Sequence, residues 1–216
     1  MHAQSQTHQN LALFDFDGTL CQCDSFTGFM FYAHTKRHVI QRGLRILPWI
    51  LAYYLRCYSA DKMRPKLYAA LFKHSSARHM QYHARHYAHQ LLHQLDNTIL
   101  HQLQQHQARG DRVILVSASL DVYLKPVCEY LGIELLCTEV QQGHVILNGQ
   151  YRSPDCSGVE KVRRIQQHCD LSQYKTIYAY GNSDEDLAML RLADYPYMHG
   201  KDQSLPILDK PSIYEQ

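Results

Sequence analysis

No apolar stretch in this chain of 216 residues approaches the roughly 18 residues that a membrane-spanning helix needs. The run from Leu44 to Leu55 comes nearest in kind, and Arg45 interrupts it. Charge of one sign is also missing. The 22 Lys and Arg nearly cancel the 20 Asp and Glu, leaving a formal charge of +2, too balanced to argue for a nucleic-acid partner, and no basic run or RNA-binding signature supplies one. The seven cysteines, Cys21, Cys23, Cys57, Cys128, Cys137, Cys156 and Cys169, are odd in number and form no CxxC pair. That disfavours a disulfide framework or a zinc ribbon and predicts a reduced, cytoplasmic setting. Residues 1–10 carry neither a basic segment nor an apolar one, so a frayed tail is expected there and not a signal peptide. Glycine and proline are scarce between residues 25 and 108, where only Gly28, Gly43, Pro48 and Pro65 occur. Few chain breakers and helically spaced Phe, Leu, Tyr and Ala predict a mostly helical block.

What is present begins with Leu11-Ala12-Leu13-Phe14-Asp15-Phe16-Asp17-Gly18-Thr19-Leu20. An apolar run of this length reads as a buried parallel strand, and reactive groups sit beyond the carboxyl ends of such strands. Asp15 and Asp17 would repel each other there, so the pair calls for a cation. A hard divalent ion with oxygen ligands is the simplest, and Mg²⁺ commonly meets a substrate phosphate as well. Short apolar strands resume after Gly110, at 112–116, 133–139, 145–147 and 176–180, with helical stretches near 122–130 and 158–169. A strand, a long helical excursion and then α/β alternation predict one α/β unit. Its Rossmann-like, doubly wound parallel sheet would span 11–22 and 109–216, with a helical cap at 23–108 inserted after the first strand. Gln142-Gly143-His144 and Asn148-Gly149 suggest a hairpin beside that core.

Three more sites fall at strand ends or just after them. Ser117 follows the strand at 112–116, where a hydroxyl and nearby N–H groups can hold phosphate oxygens; capping the next helix is its plainer reading. Lys161 offers an ammonium able to neutralise a phosphate and a carboxylate together, although an isolated helix lysine is usually just solvated. Gly181-Asn182-Ser183-Asp184-Glu185-Asp186 is an acidic loop on the same edge, at least one member of which serves only as an N-terminal helix charge.

Asp15-Phe16-Asp17-Gly18-Thr19, Ser117, Lys161 and Gly181 to Asp186, in this order, resemble motifs one to four of the haloacid dehalogenase-like hydrolases. The resemblance runs over most of residues 11–200 and points to subfamily IB, the branch with phosphoserine phosphatases and a C1-type helical cap. It implies an Mg²⁺-dependent phosphatase working through an aspartyl-phosphate. Asp15 would be the nucleophile and Asp17 the general acid and base. Gly18, Thr19, Ser117, Ala118 and Lys161 would hold the phosphate, and Asp15, Asp17, Asn182 and Asp186 the metal, with Asp184 ranked behind them. The fourth motif departs from its usual Gly-Asp, because Asn182 follows Gly181. An amide oxygen still ligates Mg²⁺ but brings no charge. The alternative is therefore a degenerate relative that binds a phosphorylated ligand or partner without turnover.

The inserted block should set specificity. Asp24 would contact substrate or cap the helix starting at Ser25. Arg64 is a candidate cation for the leaving group, against the plainer reading of a surface arginine. The run at 44–55, with one Trp and basic flanks, is similar to that of phosphatidylglycerophosphatase C-like relatives; it fits either cap core or a peripheral lipid contact. His79, His83, His86 and His93 share one helical face, for which compositional drift is a better account than a metal site. The substrate expected is a small phosphorylated molecule, phosphoserine-like or a phospholipid head group.

Overall fold

A computed structural model of the chain describes residues 9–208, apart from 142 and 144. Five strands form one parallel sheet: β1 (Leu11–Phe14), β2 (Arg112–Leu120), β3 (Glu134–Thr138), β4 (Ile177–Gly181) and β5 (Tyr195–Met198), in the order β3-β2-β1-β4-β5. β1 lies centrally, its Leu11 level with Arg112 on one side and Ile177 on the other.

Alternation along the central strands builds both faces. Leu11 and Leu13 join Ile114, Val116, Ala179 and Ile165 in one buried cluster. Ala12 and Phe14 point the other way, joining Val113, Leu115, Tyr178 and Tyr180. A sheet buried on both faces explains why β1 reads as a continuous apolar run. Helices α7 (Asp121–Leu131), α8 (Val159–His168) and the short α9 (Leu187–Leu190) fill the βα connections, giving the doubly wound α/β core.

Six helices separate β1 from β2: α1 (Ser25–Ala33), α2 (Lys36–Arg45), α3 (Leu47–Tyr54), α4 (Ala60–Phe72), α5 (Ala77–Leu92) and α6 (Asn97–Ala108). The chain leaves the core and returns side by side: Gln22 N donates to Gln94 O at 3.0 Å and Asp96 N to Leu20 O at 2.9 Å. After that crossing α6 packs on the sheet, where His106 Nε2 meets the Tyr180 hydroxyl at 2.8 Å and Nδ1 meets Asp111 at 2.7 Å. The sequence extends the helical insertion to residue 108; its last helix lies on the core because Ile99, Leu103 and His106 are buried there.

Other differences are local. β2 runs on through Ser117 to Leu120 with a register shift against β3. Residues 145–147 make no sheet strand; they lie against the start of α5, Ala77 N donating to Val145 O and Leu147 N to Ser75 O, both at 2.9 Å. The expected hairpin is a single antiparallel bridge, Val140 with Tyr151, and Gln142 and His144 of its turn lie outside the described residues. So do residues 1–8 of the expected frayed tail. Gln9 and Asn10 are tied down, Gln9 to Gly110 O at 2.6 Å and Asn10 to Asp111 at 2.9 Å.

Candidate active site

The carboxyl ends of β1, β2 and β4 converge on one edge, where strand geometry alone brings Asp15, Ser117 and Gly181 together. Asp15 leaves β1 nearly buried, and the chain behind it folds into a tight turn. Leu20 N donates back to Asp15 O, Cys21 N to Phe16 O and Gly18 N to Cys21 O. Gly18 holds φ +75° in that turn, and a Cβ there would stand 2.0 Å from Asn182 Nδ2. Only glycine satisfies both demands.

Lys161 reaches this edge from α8 and is itself buried, with Nζ 2.6 Å from Asp15 Oδ1 and 2.6 Å from Asp186 Oδ1. The two carboxylates differ in their remaining support. Asp186 Oδ2 accepts from Asn182 N, Ser183 N and Ser183 Oγ at 3.0–3.1 Å. Burial raises its pKa, but Lys161 and these donors outweigh that and hold it below the usual carboxylate range. Beyond Lys161, the Asp15 carboxylate accepts, among the described residues, only from the Thr19 hydroxyl at 3.3 Å. Burial, against the pull of Lys161, pushes its carboxyl up to about 7. The lysine is raised, since two anions outweigh its own burial. Lys161 thus keeps Asp15 beside a captive ammonium without saturating it.

Asp17 turns to the opposite side. Its Oδ1 accepts from Ser25 N at 2.7 Å and its Oδ2 from the Ser119 hydroxyl. Ser119 Oγ lies 2.9 Å from Ser25 Oγ, which lies 3.4 Å from the Tyr123 hydroxyl. Withdrawal from water raises the Asp17 pKa above the usual carboxylate value despite these donors. Ser25, Ser119 and Tyr123 were not singled out by the sequence. Ser119 had a usable signal, a second hydroxyl one strand repeat beyond Ser117; Ser25 and Tyr123 had none, since only the fold brings them together.

The remaining expected residues are less uniform. Ser117 and Ala118 face the cavity, and Ser117 Oγ accepts from Ser119 N at 3.0 Å. Gly18 and Thr19 spend their N–H groups closing the turn, on Cys21 O and Phe16 O. Asn182 faces the cavity, and its side chain has no hydrogen-bond partner among the described residues. Asp184 is exposed. Asp24 caps α1, accepting from Thr27 N at 2.9 Å, while bordering the same cavity.

Arg64, expected as a leaving-group cation or a surface arginine, borders the cavity and is ion-paired. Its guanidinium pairs side-on with Asp155, both bonds 2.8 Å, and reaches Glu185 at 3.1–3.2 Å. It ties α4 of the insertion to the core across the mouth of the site. Between them lies a cavity of about 380 Å³, its floor Asp15, Asp17, Ser117 and Lys161 and its roof apolar side chains of α1 to α4.

The described residues at this edge bring together carboxylates, hydroxyls and a buried ammonium, with no serine–histidine pair among them, under a helical roof on an α/β core. The family model of haloacid dehalogenase-like hydrolases matches residues 12–191, and the chain belongs to that family. It is 25% identical over 212 residues to a histidinol-phosphatase of Neisseria meningitidis serogroup C, covering 91% of this chain and 93% of that one. Among solved structures, a Bordetella pertussis Tohama I protein of unknown function superposes with a TM-score of 0.72 at 22% identity, over 87% of this chain and 88% of that one. Phosphoserine phosphatase in its apo form shares the fold, with a TM-score of 0.60 at 15% identity over 86% and 83% of the two chains.

Proposed function

We propose that this hydrolase is an Mg²⁺-dependent phosphomonoesterase that acts through an aspartyl-phosphate on Asp15. The observation that carries the reading is the division of labour between two carboxylates one residue apart: Asp15 is held against Lys161, and Asp17 is held away from it by Ser25 N and Ser119. Groups with the same side chain and separate environments are how one site supplies both a nucleophile and an acid.

In the first half-reaction an Asp15 oxygen forms a bond to phosphorus as the bond to the leaving oxygen breaks, and Asp17 gives its proton to the departing alkoxide. In the second, Asp17 takes a proton from the water that attacks the acyl-phosphate, releasing phosphate and restoring Asp15. Lys161 and Ser117 line the cavity floor beside Asp15 and would meet the phosphoryl oxygens from one side, which keeps reorganisation small as charge shifts.

The residues present fit magnesium. The Asp15 carboxylate is under-compensated, the Asp17 main-chain carbonyl accepts no bond among the described residues, and the Asn182 amide stands unpaired over the same turn. All three are hard oxygen donors with one formal charge among them, a sparse set suited to an ion that keeps several waters. Bound there, the ion supplies positive charge beside the transferring phosphoryl group. Asp186, expected as a ligand, accepts from Lys161 on one oxygen and from Asn182 N, Ser183 N and Ser183 Oγ on the other, which supports a role in placing Lys161 and closing the 181–186 loop.

Hydrolysis of p-nitrophenyl phosphate by the purified protein tests this reading. Turnover that requires Mg²⁺ and is lost in Asp15→Asn is the expected result. Phosphorylated-ligand binding with no turnover at any Mg²⁺ or Mn²⁺ level would favour the degenerate alternative.

A further inference from the structure

Apolar side chains are expected inside the insertion, yet α2 and α3 bury none of theirs. Ile40, Leu44, Leu47, Leu51 and Leu55 recur at intervals of three and four along the two helices, and all five are exposed: Leu44 at 62%, Leu51 at 54% and Leu55 at 74%. Trp49 and Tyr54 border them and are exposed too. A single exposed leucine is ordinary; a continuous stripe rimmed by aromatics marks an interaction surface. The outer face of the 44–55 run is therefore not cap core, although Ile46 between the two helices is buried.

Its surroundings name the partner. Between Lys36 and Lys66 the sequence has eight Lys and Arg and one acid, Asp61. Arg64 is committed to Asp155 and Glu185. The other seven cations make no ion pair among the described residues, and Lys66 lies over the Trp49 ring at 4.2 Å. An apolar stripe in a cationic field complements an anionic bilayer, with the helices lying in the interface plane. No helix among the described residues is long and apolar enough to cross a membrane. We propose that the α2–α3 face docks on an anionic lipid surface.

The inner side of the same helices extends the argument to substrate. Val39, Ile50 and Tyr53 line the cavity above Asp15, joined by Phe26 and Met30. Arg64, the one arginine among the described residues lining the cavity, is ion-paired to Asp155 and Glu185 and not free for a substrate carboxylate. The cavity suits a phosphomonoester with an apolar leaving group, entering from the bilayer side; this clause rests on the phosphatase reading, the docking surface does not.

Trp49 is the chain's single tryptophan, so its emission reports on this face alone. With vesicles of phosphatidylcholine and phosphatidylglycerol, the protein should co-sediment, Trp49 emission should shift to the blue, and binding should fall at least about tenfold in pure phosphatidylcholine or high salt. The triple variant Leu44→Glu/Leu51→Glu/Leu55→Glu, its fold checked by circular dichroism, should lose vesicle binding and keep its rate on p-nitrophenyl phosphate. Unchanged emission with protein left in the supernatant, equal binding by the triple variant, or a concentration-dependent dimer broken by it without vesicle binding would each overturn the docking proposal. With alkyl phosphates, kcat/KM should rise with chain length over the first several carbons; a flat series would overturn the apolar-substrate clause. Absence of any hydrolysis would instead count against the phosphatase reading, leaving the vesicle result to stand alone.

Discussion

Arg64 and Asp155, 91 positions apart in sequence, meet in a side-on pair with both N–O distances 2.8 Å. One lies on the helical insertion and the other on the core, so the pair fastens the roof of the cavity to its floor. Asp155 is buried, and removing its partner leaves a carboxylate without compensation. Arg64→Ala should destabilise the protein by on the order of 3 kcal/mol and lower kcat/KM. Arg64→Ala/Asp155→Ala should cost less than the sum of the single changes. Chemical denaturation of the four proteins measures the coupling; additive costs would show that the pair does not clasp the two parts.

Asp17 is assigned the proton, which makes its loss depend on the leaving group. Asp17→Asn should slow hydrolysis of alkyl phosphates by about 10²–10⁴-fold. It should spare the first half-reaction with p-nitrophenyl phosphate, whose leaving group needs no acid. Ser119→Ala should show the same pattern more weakly, since Ser25 N still holds Asp17. Burst kinetics with the two substrate types separates the steps; equal losses on both would remove Asp17 from proton transfer.

For Asp15, stability and activity should move in opposite directions. Its folded-state pKa, about 7, lies above the ordinary 3.8, so the folded protein binds this proton more tightly than the unfolded chain. The site therefore costs stability as pH rises from 3.8 through about 7, and the whole cost is present above that. Asp15→Asn should abolish turnover yet raise Tm at pH 8 in the absence of metal, with the gain shrinking toward pH 4. Thermal melts across that range check it, and a Tm at pH 8 below that of wild type would contradict it.

Asn182 makes the metal set poor in charge. Asn182→Asp is nearly isosteric, so it fits over Gly18, and it adds a second anionic oxygen donor. The Mg²⁺ concentration for half-maximal activity should fall roughly tenfold. Titration of activity with Mg²⁺ measures the shift; no change would place Asn182 outside the metal shell.

The parallel core and the residues on its edge were readable because each depends on a local pattern. The apolar run before Asp15, the helix carrying Lys161 and the glycine closing β4 each report on a strand end or helix of their own. β5 was not read as a strand, because Tyr195-Pro196-Tyr197-Met198 has neither a continuous apolar run nor a clear alternation. Partnerships across distance were also not legible. Nothing near Arg64 in sequence announces Asp155 or Glu185. Ser25 meets Ser119 only once α1 packs beside β2, and Asp186 becomes a support for Lys161 only when the 181–186 loop turns its three donors onto one oxygen. The outward stripe on α2 and α3 could be seen as apolar, but whether it was buried depended on what packs above it.

The central claim is that phosphate passes through Asp15, and the most direct measurement is chemical capture of that bond. The protein is mixed with substrate and Mg²⁺, quenched in acid during turnover and treated with borohydride, which reduces an aspartyl-phosphate to homoserine. Peptide mass spectrometry should then find homoserine at position 15, dependent on substrate and absent from Asp15→Asn. Homoserine at another aspartate, or none while turnover proceeds and a control acyl-phosphate is captured, would contradict the account.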